Sequence, residues 1–570
     1  MNNKKILKLK KLINFYNLDG YIIPKNDAYF SEFALPDRLK IISNFSGSAG
    51  FAIILKKENY LFVDGRYTIQ AKIQASRYFK IIEVPKFLPK DILKKFKKKL
   101  SIGYDPQLFT NSTLKKKFYN ICNLLPITEN LIDKIYKEKE RTSVNPFYIL
   151  NDKITGESTN SKINRLIKII KIKKIDNIFI SAPENVAWLL NIRGKDNPNS
   201  PIPNCKIILT NKKKVLFFSC PKKIHQLKKN KKYKYFTFST YKNFPKIISE
   251  LTGNSFCIDS STCSVENENI IKSSFKVKDV IDPCYIMKSI KNKSEIKNMI
   301  NAHIKDGLAL TKFIFWIKNT NKNKITETLA QDKLEKFRKL NKDYLFPSFN
   351  TIAGAGSNGA IVHYRATKTS DKVIKKNDIF LCDSGGQYKF GTTDVTRTIC
   401  FSKQKKSIKN IFTKVLKGHI AVAQTNLNKD NTGKKIDIRA RKFLKRDGLD
   451  YAHGTGHGVG FFLNVHEGPQ SISKHNSIKI KEGMILSNEP GYYKKGSYGI
   501  RIENLVFAKK NKRNLEFENL TLAPIEKDLI NFKLLDKNEK DYLFKYHLNI
   551  YSKYSKFLNL KERKWLASLI

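Results

Sequence analysis

The sequence contains no apolar run long enough to cross a membrane. A transmembrane helix needs about 18 consecutive apolar residues, and no stretch of the chain approaches that length. Near the start, Lys breaks the apolar pattern repeatedly, so the first 20 residues lack the continuous hydrophobic region of a secretory signal. They predict an amphipathic first helix instead, and no membrane partner is expected.

Cysteine is absent from the arrangements that bind zinc or form a disulfide framework. The eight cysteines are scattered, and none of them forms a CxxC pair. Scattered cysteines are typical of a reducing compartment, because an oxidising one favours paired, disulfide-forming cysteines. Together with the missing signal, this pattern predicts a cytoplasmic protein.

Acidic residues are scarce relative to basic ones. The chain has 108 Lys and Arg against 50 Asp and Glu, a formal charge of +58. Nucleic-acid binding is one interpretation, but the excess is mostly Lys, whereas Arg is the residue whose planar fork grips phosphates and bases. The Lys is also spread over the whole chain, together with abundant Asn, Ile, Tyr and Phe, as in an AT-biased coding sequence. We therefore predict solvated faces and no specific nucleic-acid partner.

No linker rich in Gly, Ser or Pro divides the chain, so domains are inferred from pattern. With 570 residues and 41% hydrophobic residues, several packed domains are expected. Residues 39–64 and 186–219 look alike, since each has an apolar run, a Gly turn and two strands joined by a Lys-rich turn. The predicted strands are 52–55 and 61–63 in the first stretch, and 206–209 and 215–218 in the second.

This repeat predicts two α/β domains of one kind, over about 1–150 and 151–287, with residues 142–158 connecting them. From about residue 288 the pattern changes. A helix is predicted over 291–319, with Ser294 and Glu295 near its start, and Gly-rich loops and strands follow. The predicted third domain is 288–570, and its last part, 520–570, is a helical extension expected to serve packing or a subunit interface.

Four short segments of the third domain hold most of the residues capable of catalysis. They are SNGAIVHYR, DIFLCDSGGQYKFGTTDVTRTICF, HGTGHGVGFFLNVHEGP and SNEPGYYKKGSYGIRIENLVF. The chain has nine histidines, and four of them lie in these segments: His363, His453, His457 and His466. Four acids stand at strand ends or among apolar strand residues, where an unpaired carboxylate is costly to bury. These acids are Asp383, Asp394, Glu489 and Glu503.

The strand period brings some of these residues to a common face. Because side chains alternate along a strand, Asp394, Thr396 and Thr398 are predicted to face one side. In the predicted strand GIRIENL, Arg501 and Glu503 face one side as well.

Buried acids of this kind are tolerated where a cation neutralises them. One imidazole with several carboxylates suits hard or borderline divalent ions, and bridging carboxylates hold two such ions about 3.5–4 Å apart. Alone, each residue has a simpler interpretation: Asp383 as a turn former, a histidine as a core or surface residue, Glu503 as an ion-pair partner of Arg501. Their joint occurrence favours a two-metal site formed by Asp383, Asp394, His457, Glu489 and Glu503.

The same segments resemble the aminopeptidase P family of pita-bread metallopeptidases. The resemblance is carried by GAIVHY, DSGGQYKFGTTDVTRT, HGTGHGVGFFLNVHEGP, NEPGYY and GIRIEN. It extends to FSGSAGFAIIL, VDGRY and VAWLLNIRG in the first two domains, and to LAPI and KDYLFKYHLNIY at the end. It implies an α/β (α+β) fold, in which two creatinase-N-terminal-like α/β domains precede a C-terminal pita-bread metallopeptidase domain.

The resemblance also implies a metal-binding role for each of the five ligands. Asp383 would bind one metal through both oxygens, and Asp394 and Glu503 would bridge the two metals. His457 and Glu489 would hold the second metal. The cofactors would be two divalent metal ions, with Mn²⁺ the commonest in the family.

The remaining implied roles concern the substrate. A metal-bridging hydroxide would attack the bond before a proline at the second position of a peptide, and Glu489 would assist proton transfer. His453 and His466 would contact the substrate and the developing oxyanion, while His363 would bind the scissile region or shuttle a proton. Arg501 and Tyr493 would orient the metal-binding carboxylates. A homodimer is implied as well.

Two other functions remain open from the sequence. A prolidase-like enzyme would cleave Xaa-Pro dipeptides alone, although prolidases are generally shorter and lack the second domain. A non-catalytic pita-bread scaffold would bind peptides or nucleic acid, although a pure binder has no need of an intact ligand set.

Overall fold

The structure is a computed structural model that describes residues 2–136, 147–367 and 370–570. The chain forms two compact units. The first comprises Met1–Asp152 and Glu157–Tyr285, and the second comprises Lys153–Gly156 and Ile286–Ile570. The three predicted domain ranges stay predictions, and residues 142–146 of the predicted connection lie outside the described residues.

The first unit contains two six-stranded mixed sheets. The first sheet consists of β1 (Gly20–Pro24), β2 (Phe51–Leu55), β3 (Asn59–Asp64), β4 (Lys80–Val84), β5 (Ser101–Tyr104) and β6 (Asn123–Pro126), in the order β4-β3-β2-β1-β5-β6. The next strands are β7 (Tyr148–Ile149), β8 (Asn177–Ile180), β9 (Ile192–Arg193), β10 (Lys206–Thr210), β11 (Val215–Phe218), β12 (Thr237–Ser239), β13 (Ser255–Ile258) and β14 (Lys276–Asp279). The second sheet has the order β12-β11-β10-β8-β13-β14, and β7 pairs with β9 separately.

The two sheets repeat one pattern of strand pairing. In the first, β1 is antiparallel to β2 and parallel to β5. In the second, β8 is likewise antiparallel to β10 and parallel to β13. The four strands predicted from the sequence repeat correspond to β2, β3, β10 and β11. The predicted pair of α/β folds of one kind is therefore present.

Thirteen α-helices lie among the described residues up to residue 289, and α7 and α13 extend into the second unit. They are α1 (Asn2–Phe15), α2 (Arg38–Ser43), α3 (Thr68–Ala75), α4 (Pro89–Leu93), α5 (Asn111–Phe118), α6 (Leu131–Ile135), α7 (Asp152–Thr155), α8 (Thr159–Ile172), α9 (Pro183–Leu189), α10 (Pro221–Lys228), α11 (Phe244–Glu250), α12 (Val265–Lys272) and α13 (Pro283–Ser289). As predicted, α1 is amphipathic, because Ile6, Leu9 and Ile13 are buried at helical spacing.

The second unit carries four small antiparallel sheets. Its strands are β15 (Tyr344–Pro347), β16 (Ile352–Ala355), β17 (Ile379–Ser384), β18 (Gly386–Tyr388), β19 (Gly391–Thr392), β20 (Val395–Cys400), β21 (Gly456–Gly458), β22 (Glu467–Ile472), β23 (Ile485–Asn488), β24 (Gly491–Lys494), β25 (Tyr498–Arg501), β26 (Asn504–Asn511) and β27 (Asn514–Asn519). The sheet orders are β15-β18-β19, β16-β17-β20, β22-β21-β23-β26-β27 and β24-β25.

Six further α-helices lie among the described residues of this unit. They are α14 (Lys293–Asn319), α15 (Glu327–Lys339), α16 (Lys406–Ala423), α17 (Gly433–Lys445), α18 (Lys537–Tyr554) and α19 (Leu560–Ala567). The helix predicted over 291–319 is α14, and its cap is Asn292. The Asn292 side chain accepts from the Glu295 backbone N–H, while the Glu295 carboxylate accepts from that of Asn292.

The predicted continuous strand GIRIENL is wrong in one respect. The strand β25 ends at Arg501 and β26 begins at Asn504, so Ile502 and Glu503 lie in a break. The backbone changes partners there: the Ile502 N–H donates to Pro490 O and the Glu503 N–H donates to Thr396 O. Arg501 and Glu503 nevertheless both contact the Thr396 hydroxyl, as their predicted common face required.

The C-terminal helices pack into the second unit's core. Ile550 and Tyr554 of α18 and Leu566 of α19 are fully buried, and they belong to the same apolar cluster as Leu416 of α16. The extension is therefore part of the packed unit.

Candidate metal centre

Strand register brings the five predicted ligands to one place. Asp383, near the end of β17, pairs with Thr396 of β20, so Asp394, immediately before β20, lies close by. Asn488 of β23 pairs with Asn504 of β26. Glu489 and Glu503 therefore flank that pair at the ends of two neighbouring strands.

His457 completes the cluster from β21. Its Nε2 lies 3.4 Å from Asp394 Oδ2 and 3.6 Å from Glu489 Oε1. Ligand atoms of Asp394, His457 and Glu503 all lie within 4.8 Å of one another. His457 Nδ1 donates to the carbonyl of Gly458 at 2.9 Å, since a carbonyl can only accept. This contact turns Nε2 toward the carboxylates, as in metal-binding histidines.

The glycine before His457 is required by close packing. A Cβ at Gly456 would lie 1.9 Å from the carbonyl oxygen of Ser487. The Ser487 hydroxyl accepts from the His457 backbone N–H at 2.9 Å and donates to Glu489 Oε1 at 3.1 Å. Gly456 thus lets β21 approach β23 closely enough for one serine to position two ligands.

The cluster holds more negative charge than the neighbouring cationic side chains neutralise. Burial, together with the nearby Asp394 and Glu489, raises the pKa of Asp383 to about 7 despite its contact with Arg501. Burial and the same carboxylates raise the pKa of Glu503 well above its ordinary value. Burial alone would lower the pKa of His457, but Asp394 and Glu489 outweigh it and raise that pKa to about 9.

These features fit divalent metal ions. Asp383 Oδ1 is buried and has no hydrogen-bond partner in the part of the chain that the structure describes. A buried carboxylate oxygen without a donor is costly unless a cation meets it. The donor set, four carboxylates and one imidazole, is the type that hard and borderline divalent ions prefer.

A chain of hydrogen bonds extends from the carboxylates to His453. Arg501 donates to Asp383 Oδ2 at 2.6 Å and to the Tyr493 hydroxyl at 2.5 Å. His453 Nε2 lies 2.8 Å from that hydroxyl, and its Nδ1 lies 2.7 Å from the carbonyl of Gly454. Nδ1 must therefore donate, and Nε2 of the neutral imidazole accepts from the Tyr493 hydroxyl. Burial raises the pKa of Tyr493 to about 12, which keeps that proton in place.

The other predicted histidines lie at different depths around the cluster. His466 is exposed, and its ring centroid is 4.3 Å from that of His457. His363 is half-buried, and its chain neighbour Val362 accepts from Arg501 at 3.5 Å. The structure thus places His466 at the solvent side of a ligand, while the catalytic roles of His363, His453 and His466 stay predictions.

The sequence analysis missed residues that support the loop carrying His453 and His457. Arg441 of α17 donates to the carbonyls of Tyr451 and His453 at 2.8 and 2.6 Å. Asp437, one turn earlier, accepts from the Thr455 hydroxyl at 2.6 Å. The spacing of four residues between Asp437 and Arg441 is a sequence signal for an ion pair on one helix face. Only the tertiary fold shows which loop that pair contacts.

Family models match almost the whole chain. The model "Metallopeptidase family M24" matches residues 297–510, and "C-terminal region of peptidase_M24" matches 513–569. Two matches to "Creatinase/Prolidase N-terminal domain" cover 5–135 and 138–295. The chain belongs to metallopeptidase family M24. The predicted fold, two creatinase-like domains before a pita-bread domain, is confirmed.

Curated relatives place the chain among the Xaa-Pro aminopeptidases of family M24. The probable Xaa-Pro aminopeptidase P of Laccaria bicolor is 36% identical, covering 99% of this chain and 92% of the relative. Xaa-Pro aminopeptidase 1 of Dictyostelium discoideum is 35% identical, covering 100% and 96%. The predicted resemblance and the predicted enzyme class are confirmed.

Solved structures of related enzymes match the chain as well. X-prolyl aminopeptidase of Caenorhabditis elegans, described as a cytosolic enzyme with a dinuclear active site, matches with a TM-score of 0.92 at 29% identity, covering 100% of this chain and 99% of its own. The prolidase of Pyrococcus horikoshii matches with a TM-score of 0.52 at 26% identity, over 64% of this chain and 99% of its own. Within residues 2–136, 147–367 and 370–570, none of the helices has both the length and the hydropathy needed to cross a bilayer.

Proposed function

We propose that the protein releases the N-terminal residue from peptides whose second residue is proline, using two divalent metal ions, with Mn²⁺ as the expected metal. The proposal rests on one observation: the predicted ligands form a buried cluster with more negative than positive charge. The similarity of the chain to Xaa-Pro aminopeptidases supports it. The cytosolic description of the nematode enzyme supports a cytoplasmic location.

The residues that would hold the metals are those whose oxygen and nitrogen atoms converge. Asp383, with its unpartnered Oδ1, would bind one ion, and His457 and Glu489 would bind the other. Asp394 and Glu503 would contact both. When bound, the ions would supply Lewis-acid polarisation of the scissile carbonyl and a water of lowered pKa.

Side chains around the cluster would then transfer protons and contact the substrate. Glu489 is placed for proton transfer, because the Ser487 hydroxyl orients one of its oxygens and it is only half-buried. His466 is exposed beside His457 and could donate to the carbonyl oxygen as negative charge develops there. His453 is held by Tyr493 at the edge of the same cluster.

A proline at the second position explains why a dedicated enzyme is useful. Proline has no amide hydrogen, and its ring crowds the residue before it. A general peptidase loses a backbone contact with such a substrate and meets a steric clash. A centre that relies on cations to polarise the carbonyl does not need the missing amide hydrogen.

The test is release of the first residue from an Xaa-Pro-Yaa tripeptide by chelator-stripped protein, before and after addition of Mn²⁺. An Xaa-Ala-Yaa tripeptide and an Xaa-Pro dipeptide serve as matched controls. The proposal expects Mn²⁺-dependent cleavage of the Xaa-Pro-Yaa tripeptide and none of the Ala analogue. Cleavage confined to the dipeptide would make the protein a prolidase, and no cleavage by folded, metal-loaded protein would favour a binding scaffold.

We further propose that the protein is a homodimer formed through its C-terminal extension. The outer face of α18 exposes Phe544 and Leu548, one turn apart, and Phe557 and Leu560 are exposed just beyond its end. The inner face is packed in the core, so deletion of the extension would unfold the unit as well as the dimer. The double substitution Phe544→Lys and Leu548→Lys leaves the core intact; it should halve the solution mass, and an unchanged mass would reject this interface.

A further inference from the structure

One buried arginine, Arg397, contacts both the C-terminal extension and the backbone of Glu503, one of the predicted ligands. Arg397 follows Thr396 on β20 and points to the opposite face of the strand, away from the ligands. It is 2% exposed. In the described part of the chain no carboxylate oxygen lies within 4 Å of it, so its charge is met by neutral acceptors.

These acceptors come from two sides. On the ligand side, Arg397 Nη1 donates to the carbonyls of Thr396 at 2.8 Å and Glu503 at 2.6 Å, and Nη2 donates to the Asn504 side chain at 2.8 Å. On the extension side, the guanidinium donates to Pro524 O at 2.9 Å, Ala523 O at 2.8 Å and the Tyr546 hydroxyl at 3.0 Å.

The ligand side is the break between β25 and β26, where Glu503 lies. Because Glu503 lies outside a regular strand, individual hydrogen bonds fix the position of its backbone. Its N–H donates to Thr396 O, its carbonyl accepts from Arg397, and its side chain accepts from the Thr396 hydroxyl at 2.7 Å. A shift of the guanidinium would therefore move a ligand that the proposed function assigns to both metals.

The extension side is fixed by Tyr546 of α18. Its hydroxyl contacts Arg397, donates to Ala523 O at 3.0 Å and accepts from the Ala523 N–H at 3.2 Å. Tyr546 is buried, as is His547 beside it, whose Nε2 accepts from the Ile525 N–H at 3.2 Å. The segment 523–525 is thus held by α18 in the position from which it accepts from Arg397.

We propose that Arg397 is a positioning residue, through which Tyr546 and the C-terminal extension of the same chain hold Glu503 in place for metal binding. The extension then has an intramolecular role that is separate from subunit association. This inference rests on the proposed metal centre. Groups that orient metal ligands typically change metal affinity by about 10–100-fold when they are substituted.

The experiment measures Mn²⁺ affinity by calorimetry on chelator-stripped protein, without substrate. Arg397→Lys keeps the charge but cannot span both sides, and it should weaken binding of at least one ion by about tenfold. Tyr546→Phe should weaken it by a smaller factor. Tyr554→Phe is the matched control, because Tyr554 is also a buried tyrosine of α18, and its hydroxyl donates to Leu522 O and does not contact Arg397.

The double variant Arg397→Lys with Tyr546→Phe separates a shared path from independent effects. If Tyr546 acts through Arg397, the double variant binds Mn²⁺ about as weakly as Arg397→Lys alone. Three results would overturn the proposal. They are additive losses of Mn²⁺ affinity in the double variant, an equal loss of affinity in Tyr554→Phe, and wild-type affinity in Tyr546→Phe. If Arg397→Lys does not fold, the comparison of Tyr546→Phe with Tyr554→Phe decides. Failure of the wild-type protein to bind Mn²⁺ would instead refute the metal centre itself.

Discussion

Two groups of buried charges in the second unit, one around Glu467 and one formed by the predicted ligands, differ in the source of their positive charge. Glu467 lies 2.9 Å from Lys288 Nζ and 2.5 Å from Lys291 Nζ, and all three side chains are at most 2% exposed. Burial would raise the pKa of Glu467, but the two lysines outweigh it and lower that pKa. In the ligand cluster, the pKa values of Asp383 and Glu503 are raised instead.

The direction of the pKa shift distinguishes an acid with a structural role from a predicted metal ligand. A structural acid is buried together with cations from its own chain, so its ionised form is stable without additions. The ligand cluster collects four carboxylates around too little positive charge, which leaves a place for external cations.

Asp394→Ala should lower turnover by about a thousandfold or more, because Lewis-acid stabilisation by a properly held metal contributes several kcal/mol. In metal-free protein the same change removes one of several mutually repelling charges, so the unfolding midpoint should not fall. Initial rates with Mn²⁺ and thermal unfolding in chelator give both numbers. Near-normal turnover would contradict the assignment of Asp394 as a ligand.

Glu467→Gln should have the opposite profile. It leaves two buried lysines without their carboxylate, and breaking such a pair costs about 3–5 kcal/mol of stability. The free energy of unfolding, measured with denaturant, should fall by that amount both with and without Mn²⁺. A loss that appears only in the presence of the metal would place Glu467 with the ligands.

His466→Ala should lower the rate by about a hundredfold while two metals remain bound, since one oxyanion donor typically contributes that much. His466 and Glu467 are adjacent in sequence but belong to different clusters, so the pair is an internal control. Metal analysis of the purified variant separates the outcomes, because loss of an ion would identify His466 as a ligand.

Stability of the metal-free protein should decrease as pH rises. Asp383 has a folded pKa of about 7, above its unfolded value, so the folded state binds the extra proton and loses stability from about pH 4 to 7. His457, with a folded pKa of about 9, stabilises the fold below about pH 6.5, and this contribution is lost toward pH 9.

Bound metal replaces these protons, so the gain in unfolding temperature on adding Mn²⁺ should grow between about pH 6 and pH 8. Thermal unfolding with chelator and with Mn²⁺ measures that gain. A gain that shrinks over this range would show that the cluster is not the site of stabilisation.

The five residues of the cluster could be predicted together because each lies in a short motif with fixed chemistry, and their metal-binding roles stay predictions. Asp383 and Asp394 are separated by a single hairpin, and Glu489 and Glu503 flank the paired ends of β23 and β26, so local pattern sufficed. The repeated α/β folds were predictable for the same reason, since their strands and Lys-rich turns are local features.

The roles of Arg397 and Lys291 could not be predicted because their partners are distant in sequence. Arg397 meets Tyr546 across 149 positions, and Lys291 meets Glu467 across 176. The break after Arg501 was missed because Ile502 and Glu503 fit the strand period, while their backbone partners come from other segments. Tertiary contacts decided each of these features.

The central claim is that the ligand cluster is completed by external cations, and counting them tests it most directly. Chelator-stripped wild-type protein and Asp394→Ala would be titrated with Mn²⁺ by calorimetry, and the bound metal would be determined by elemental analysis. The account predicts two tightly bound ions per chain in the wild type and loss of tight binding in the variant. A wild-type protein that binds no Mn²⁺, or a variant that binds two ions as tightly as the wild type, would contradict it.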